Sequence, residues 1–526
     1  MSISSLITLS TLLTLPFIYT SPNPFPPINP SSEHISSTNF GAFNNHNAST
    51  TFQQTFKNTY INNLLSKRLP PLRLQDPQSP DLSFRTTNTT NISHSFLSLT
   101  STQQHIPTLP GPEYLLDYNY VDILTQFPSY ASASRKPWSG YYWAHRYGML
   151  SARYPLDNKN SMCVIRNNII TQWYTYRQSI NTYAQPQDDY IQKSYGQNYY
   201  NQYINAYYSP AEKLDLLFGD PNFSLTNYMK SQGYQYMTDN DVPSWLGLCN
   251  GWSPASYLEP RCNRSITLTA YDNVTQITFL PDDMEAYATL FYAMASYNIK
   301  MIGNRCSDTT EQYCMLMNAG VFVIATANQI GIRKENVIFE PKVDSEIWNY
   351  PVYSYAFQFY NALQRNNNTR TYTYTLTWDM LLSPSSITAT NDNVFVKAST
   401  SSSFSYSSYY IGVRLCLTYV AEDYPYHSEE VWEDTTGEFC YDIVLALASN
   451  FKVIDGFWDQ DDIPTYMWTP QSKESIVGPY DNYVSEFNGS IEDIVKARTY
   501  AIYSARSGTV LKKVMEFFMN ESNKQV

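Results

Sequence analysis

The stretch SWLGLCNGWSPASYLEP, residues 244–260, decides the reading of this chain. Cys249 stands just ahead of Asn250-Gly251-Trp252 and the small, proline-containing run Ser253-Pro254-Ala255-Ser256, a composition that suits the opening of a helix immediately after the cysteine. A thiol at a helix N-terminus has its anion favoured by the helix dipole and by unpaired backbone amides. Such a cysteine is a candidate nucleophile, and it then needs a base, usually histidine, oriented by a carboxylate or amide. The bland alternative is a small buried hydrophobe.

Outward from this stretch, the chain reads as α+β. Residues 165–217 look mostly helical and end in SPAEKLDLLFG, where Ser209 can cap, Pro210 suits the first turn and Gly219 follows the last. Residues 281–297 (PDDMEAYATLFYAMASY) read as a second helix with acids in its first turn. VFVIATAN, from Val321, and ENVIFEP, from Glu335, read as short apolar strands. Alternating strands continue through 370–460 in RTYTYTLTW, NVFVKAS, SYYIGVRLCLTYV and EFCYDIVLALA, and residues 490–520 form a helix-like tail. No internal repeat of fixed period occurs.

The N-terminal part has a different texture. Leu6–Ser21 is apolar, too short to cross a bilayer comfortably, and followed by a Pro- and Ser-rich stretch; it reads as a signal-peptide core, with residues 1–21 as the signal peptide. No later stretch reads as a membrane span. Residues 22–115, rich in Pro, Asn, Ser and Thr, read as a low-complexity leader or propeptide, in which Lys67-Arg68 is either a processing site or two solvated charges. Export to the extracellular space or cell surface is the expectation. Sequons at Asn47, Asn88, Asn91, Asn222, Asn263, Asn273, Asn367, Asn488 and Asn520 agree with it, although a chain rich in Asn, Ser and Thr yields some by chance.

Composition narrows the partners. Of 526 residues only 15% are charged, 47 are tyrosine, and the formal net charge is −12, without a basic run; nucleic acid is excluded as a partner because phosphate binding needs clustered Lys and Arg. No CxxC or His-rich spacing suggests structural zinc, and no cofactor is expected. Seven cysteines in an exported chain leave one over from three disulfides. Cys306 with Cys314, Cys416 with Cys440 and Cys163 with Cys262 would leave Cys249 free, one of fifteen pairings that six cysteines allow.

The motif series resembles the transglutaminase elicitor family, best known from oomycete cell-wall glycoproteins. WSGYYW (138–143) is similar to its tryptophan-rich opening block, SPAEKLD (209–215) to its Ser-Pro-Ala-Glu-Lys helix, and residues 244–260 to its nucleophile segment, Trp-Phe-Gly-x-Cys-His-x-Trp-x-Pro-Ala. ITFLPDDMEA (277–286), NAGVFVIATANQIG (318–331), NVIFEPKVDSEIWNYPVYSY (336–355) and FWDQDDIPTYMWTP (457–470) follow in the family's order. The resemblance implies a papain-like transglutaminase core over 130–365, its cysteine helix packed on an antiparallel sheet, then a β-rich C-terminal part over 366–475 and a helical tail over 476–526. It also implies acyl transfer from protein glutamine to an amine through a thioester on Cys249.

The same comparison puts Val323 at the family's His position, Glu340 at its Asp position and Asn250 after the nucleophile, where His is usual. Valine cannot take a proton. The resemblance therefore carries two readings: an acyl transferase lacking its usual base, and a pseudoenzyme that keeps the fold as an exported surface or wall protein. Other candidate groups are His145, His427 and Asp344. His34, His46, His94 and His105 fall in the leader.

Overall fold

The structure, a computed structural model, describes residues 111–145, 148–152, 192–194, 196–235, 245–306, 317–360, 409–423, 433–460, 462–470 and 472–524, with Arg365–Asn366, Thr371–Tyr372, Val396–Lys397, Pro425 and Val431. Residues 1–110, Cys163, Cys314 and His427 lie outside them; the end of the stretch expected as leader, 111–115, is described, and its Leu115 is buried in a short helix over Glu113–Leu116. The expectation of helix over 165–217 is met from residue 197 onward, and the part from 165 to 191 is outside the described residues.

After a short strand β1 (Tyr130–Ser132) come helices α1 (Gln197–Tyr207), α2 (Pro210–Leu217) and α3 (Ser224–Gln235). The local chemistry of α2 is as expected. Ser209 Oγ accepts from the Glu212 amide at 3.2 Å, Glu212 Oε2 accepts from the Ser209 amide at 3.0 Å, and Pro210 opens the first turn. Gly219, at φ +58°, ends the helix in the left-handed region. Helix α4 (Cys249–Leu258) follows, then a hairpin of β2 (Ile266–Thr269) and β3 (Gln276–Phe279), and α5 (Pro281–Met294).

Two close approaches fix α4 and α2 against α5. A Cβ on Gly251 would stand 2.1 Å from the Thr289 carbonyl oxygen, so only glycine lets α4 lie this near α5. Lys213 Nζ meets Asp283 Oδ2 at 2.5 Å with both side chains fully buried, and Asp283 also accepts from the Leu280 amide at 2.8 Å. Removing one partner of such a buried pair costs about 3–5 kcal/mol, because it strands a charge.

Strand β4 (Ile299–Gly303) precedes α6 (Ala319–Thr326), which continues as a π turn over Ala327–Ile332. Residues 321–327 are therefore helical, contrary to the expectation of a strand. The Asn318 side chain accepts from the amides of Gly320 and Val321 at 2.8 and 3.1 Å and starts the helix. A run that is apolar on every side carries no period to separate a buried helix from a buried strand, and here the cap decides.

The remaining longer strands are β5 (Val337–Glu340), β6 (Tyr350–Tyr360), β7 (Tyr409–Val420), β8 (Thr436–Leu447), β9 (Val453–Trp458) and β10 (Tyr466–Pro470), beside two-residue strands at Arg365–Asn366, Thr371–Tyr372 and Val396–Lys397, and helices α7 (Ile491–Arg506) and α8 (Lys512–Glu521) close the chain. One sheet runs β9-β8-β7-β6-β5-β10-β4, every described pair antiparallel, with β1 on β6. It draws strands from both the 130–365 and the 366–475 stretches. Cys416 sits opposite Cys440 in the β7–β8 register, and the two form a disulfide.

The pleat of β5 assigns the two faces of this sheet. Val337 and Phe339 pack with Phe322, Val323, Tyr441 and Trp458. Ile338 packs with Tyr257 of α4, Ile347, Tyr466 and Trp468. Successive side chains on a strand point to opposite faces, so α6 and α4 cover opposite faces of the sheet.

One cysteine expectation needs correction. Cys262 is a free, buried thiol whose Sγ lies 3.6 Å from Met519 Sδ, so it does not pair with Cys163. Cys306 is disulfide-bonded, to a partner outside the described residues. Cys249 is free.

Candidate active site

Cys249 is the first residue of α4 and is only 2% exposed. The aromatic block braces the segment before it: the Leu248 amide donates to the Tyr142 carbonyl at 2.5 Å, and the His145 amide to the Leu246 carbonyl at 2.9 Å. Trp252 Nε1 donates to the Trp138 carbonyl at 3.3 Å, which ties the first turn of α4 to the same block.

The thiol has two hydrogen-bond partners among the described residues. Sγ donates to the Ile347 carbonyl at 3.8 Å and accepts from Asn349 Nδ2 at 3.5 Å. The orientation of that amide follows from its other contacts. Trp468 Nε1, 2.9 Å away, can only donate, and Tyr466 Oη donates at 3.2 Å. Both therefore demand Asn349 Oδ1, which turns the amino group toward the sulfur. Ser253 Oγ, one turn along α4, donates to the Asn349 carbonyl and holds its backbone in place.

Glu340, at the end of β5, faces the same side of the sheet as Ile338. Its Oε2 accepts from the Trp348 amide at 2.5 Å, and its buried Oε1 has no hydrogen-bond partner among the described residues. Burial holds its carboxyl well above the usual range, with the Asp344 charge adding to the effect and the Trp348 amide opposing it. Asp344 itself pairs with Lys342 at 2.6 Å, which lowers its pKa below the ordinary carboxylate value.

The expectation of an acidified thiol is overturned. Burial pushes the Cys249 thiol up to about 11; the Asn349 amide opposes this, and the carboxyls of Glu340 and Glu422 reinforce it. Desolvation of a fully buried group shifts its acidity by up to about 3–5 units, whereas a helix terminus supplies about 1 kcal/mol, so burial wins. The carry-over of Val323 to the base position also fails: α6 puts Val323 on the far face of the sheet, in the cluster with Phe322 and Trp458. His145 lies beside the Cys249 segment through its backbone, but burial lowers its imidazole to about 4, so it is a weak base. His427 is outside the described residues.

Sequence reasoning missed Asn349, Tyr466 and Trp468. The last two lie in TYMWTP, a stretch matched to the family without a role, and only the pairing of β10 with β5 brings them to the thiol. The one group of potential metal ligands among the described residues is Cys416, Glu438 and Cys440, and its two sulfurs are spent in the disulfide.

A buried cysteine at a helix start, laid on an antiparallel sheet and hydrogen-bonded to an asparagine, defines a thiol-centred site in a mixed α and antiparallel β fold. Residues 226–485 match the model of the transglutaminase elicitor family, and this region of the chain belongs to that family. Among solved structures it is similar to the GP42 transglutaminase from Phytophthora sojae, at 14% identity and a TM-score of 0.41, over 80% of this chain and 99% of that one. A search of the curated proteins found no match.

Proposed function

We propose that this is an exported transglutaminase-type protein in which Cys249 is the acyl-accepting nucleophile of a papain-like site, held protonated in the folded state so that turnover is slow. The supporting observation is that Sγ is held between a carbonyl and an amide whose donor is forced toward it, rather than packed among hydrocarbon alone. In the reaction the sulfur attacks a glutamine carboxamide carbon, the thiol proton leaves with ammonia, and a thioester forms. An amine then attacks the thioester, gives the isopeptide bond and restores the thiol. A helix-start amide and the Asn349 amino group are the donors placed to receive negative charge near the sulfur.

A second reading rests on the same site. Neither Ile347 nor Asn349 can remove a proton near neutrality, and burial shifts the Glu340 carboxyl toward its neutral acid form. General-base assistance is worth about 10²–10⁴-fold in rate, so its lack favours a pseudoenzyme that serves as a surface or wall glycoprotein. Export agrees with the placement of the described sequon asparagines, Asn222, Asn263, Asn273, Asn488 and Asn520, all at exposed positions.

The test is incorporation of a labelled amine into a glutamine-rich acceptor by the full chain and by Cys249→Ala. Slow incorporation that disappears in Cys249→Ala is expected. Incorporation that persists in Cys249→Ala would remove Cys249 as nucleophile. No incorporation by the natural chain would leave the pseudoenzyme reading in place.

A further inference from the structure

Away from Cys249, two tyrosine pairs of the same spacing meet at the surface of α7. Tyr480 and Tyr483 bracket a 3-10 turn over Asp481–Tyr483, and Tyr500 and Tyr503 stand one turn apart on α7. Tyr483 stacks on Tyr500 with ring centroids 4.7 Å apart and planes only 8° apart. Tyr480 meets Tyr503 at 5.6 Å. Every other described tyrosine–tyrosine pair is tilted by at least 47°. Tyr483 is 64% exposed and Tyr503 37%, so an oxidant in solution reaches this array directly.

The turn that carries Tyr483 is anchored. The Asp481 carboxylate accepts from the Lys512 amide at 2.7 Å and from the Gly478 amide, and Val484 is buried just after it. The two phenols are therefore held face to face by α7, α8 and the turn, and their encounter does not wait on a loop closing.

We propose that Tyr483 and Tyr500 form a site of oxidative phenol coupling, which a peroxide acting through a peroxidase converts to an intramolecular dityrosine. Each phenol gives up one electron and its hydroxyl proton, leaving a phenoxyl radical. The radicals join through a carbon–carbon bond between ring positions ortho to the oxygens. The two ring protons then move to the oxygens and restore both aromatic rings. Hydrogen peroxide takes the two electrons and two protons and leaves as two waters. Holding the partners in contact makes this step unimolecular, so its yield is independent of protein concentration. Tyr480 and Tyr503, adjacent in the array, can pass a radical to the stacked pair. The product staples the turn to α7.

The experiment treats the full chain, dilute, with hydrogen peroxide and a haem peroxidase, isolates monomer and maps cross-links by mass spectrometry. The expected result is a linked pair of peptides containing Tyr483 and Tyr500, lighter by two hydrogens, with dityrosine fluorescence. Tyr483→Phe and Tyr500→Phe should each reduce that cross-link to background while the circular dichroism stays unchanged. The proposal is overturned if dityrosine maps to other tyrosines, forms only between molecules, or is absent while free tyrosine in the same mixture couples.

Discussion

At the residue scale, the site turns on which effect governs one thiol. An ordinary cysteine ionises near pH 8.5, and Cys249 is pushed up to about 11 by burial. Thiolate at pH 7 is then roughly one part in 10⁴. Labelling of Cys249 by a small neutral alkylating agent, followed by mass spectrometry, should rise about tenfold per pH unit from pH 7 upward, without levelling near 8.5. A plateau at or below pH 8.5 would show that Asn349 and the helix start outweigh burial. The linked stability effect has the same origin. A raised thiol pKa favours the neutral, folded form, so this contribution is complete below about pH 8.5 and is lost as pH climbs toward 11.

At the element scale, α6 separates resemblance from geometry. Alignment alone sets Val323 where relatives carry histidine, yet Asn318 caps a helix that packs on the face opposite α4. Gly320 and Gly456 allow that packing: a Cβ on Gly456 would stand 2.1 Å from the Gly320 amide nitrogen. Val323→His would bury an imidazole among Phe322, Tyr441 and Trp458. The expected outcome is a lower melting temperature, by the equivalent of about 1–3 kcal/mol for a polar group without a partner, and no gain in amine incorporation. A gain in incorporation would mean that α6 reaches Cys249 in the working protein.

At the scale of the whole molecule, the disposition of sulfur distinguishes this fold from the arithmetic of an odd cysteine count. Both Cys249 and Cys262 are buried thiols, while Cys416–Cys440 ties β7 to β8. A thiol reagent applied to native protein should leave Cys249 and Cys262 unmodified at neutral pH. After denaturation without reductant it should modify both, and Cys416 and Cys440 should react only once reduced. Recovery of a peptide linking Cys262 to Cys163 would contradict the fold of the α5 and α8 region.

The sequence by itself determined the elements whose signals are local. Ser209, Pro210 and Gly219 mark the ends of α2, Asp282 and Asp283 sit in the first turn of α5, and the runs from 409 and 436 pair as strands with Cys416 opposite Cys440. Cys249 at the start of a helix was legible for the same reason: small residues and a proline within one turn. Only the tertiary structure decided the state of α6 and the company of the thiol. Asn349, Tyr466 and Trp468 reach Cys249 because β10 lies between β5 and β4, a pairing between strands more than a hundred residues apart that leaves no mark on any single segment. Burial, the term that sets the thiol's acidity, is likewise a property of everything packed around it, so it came into being only when the sheet and helices closed over Cys249.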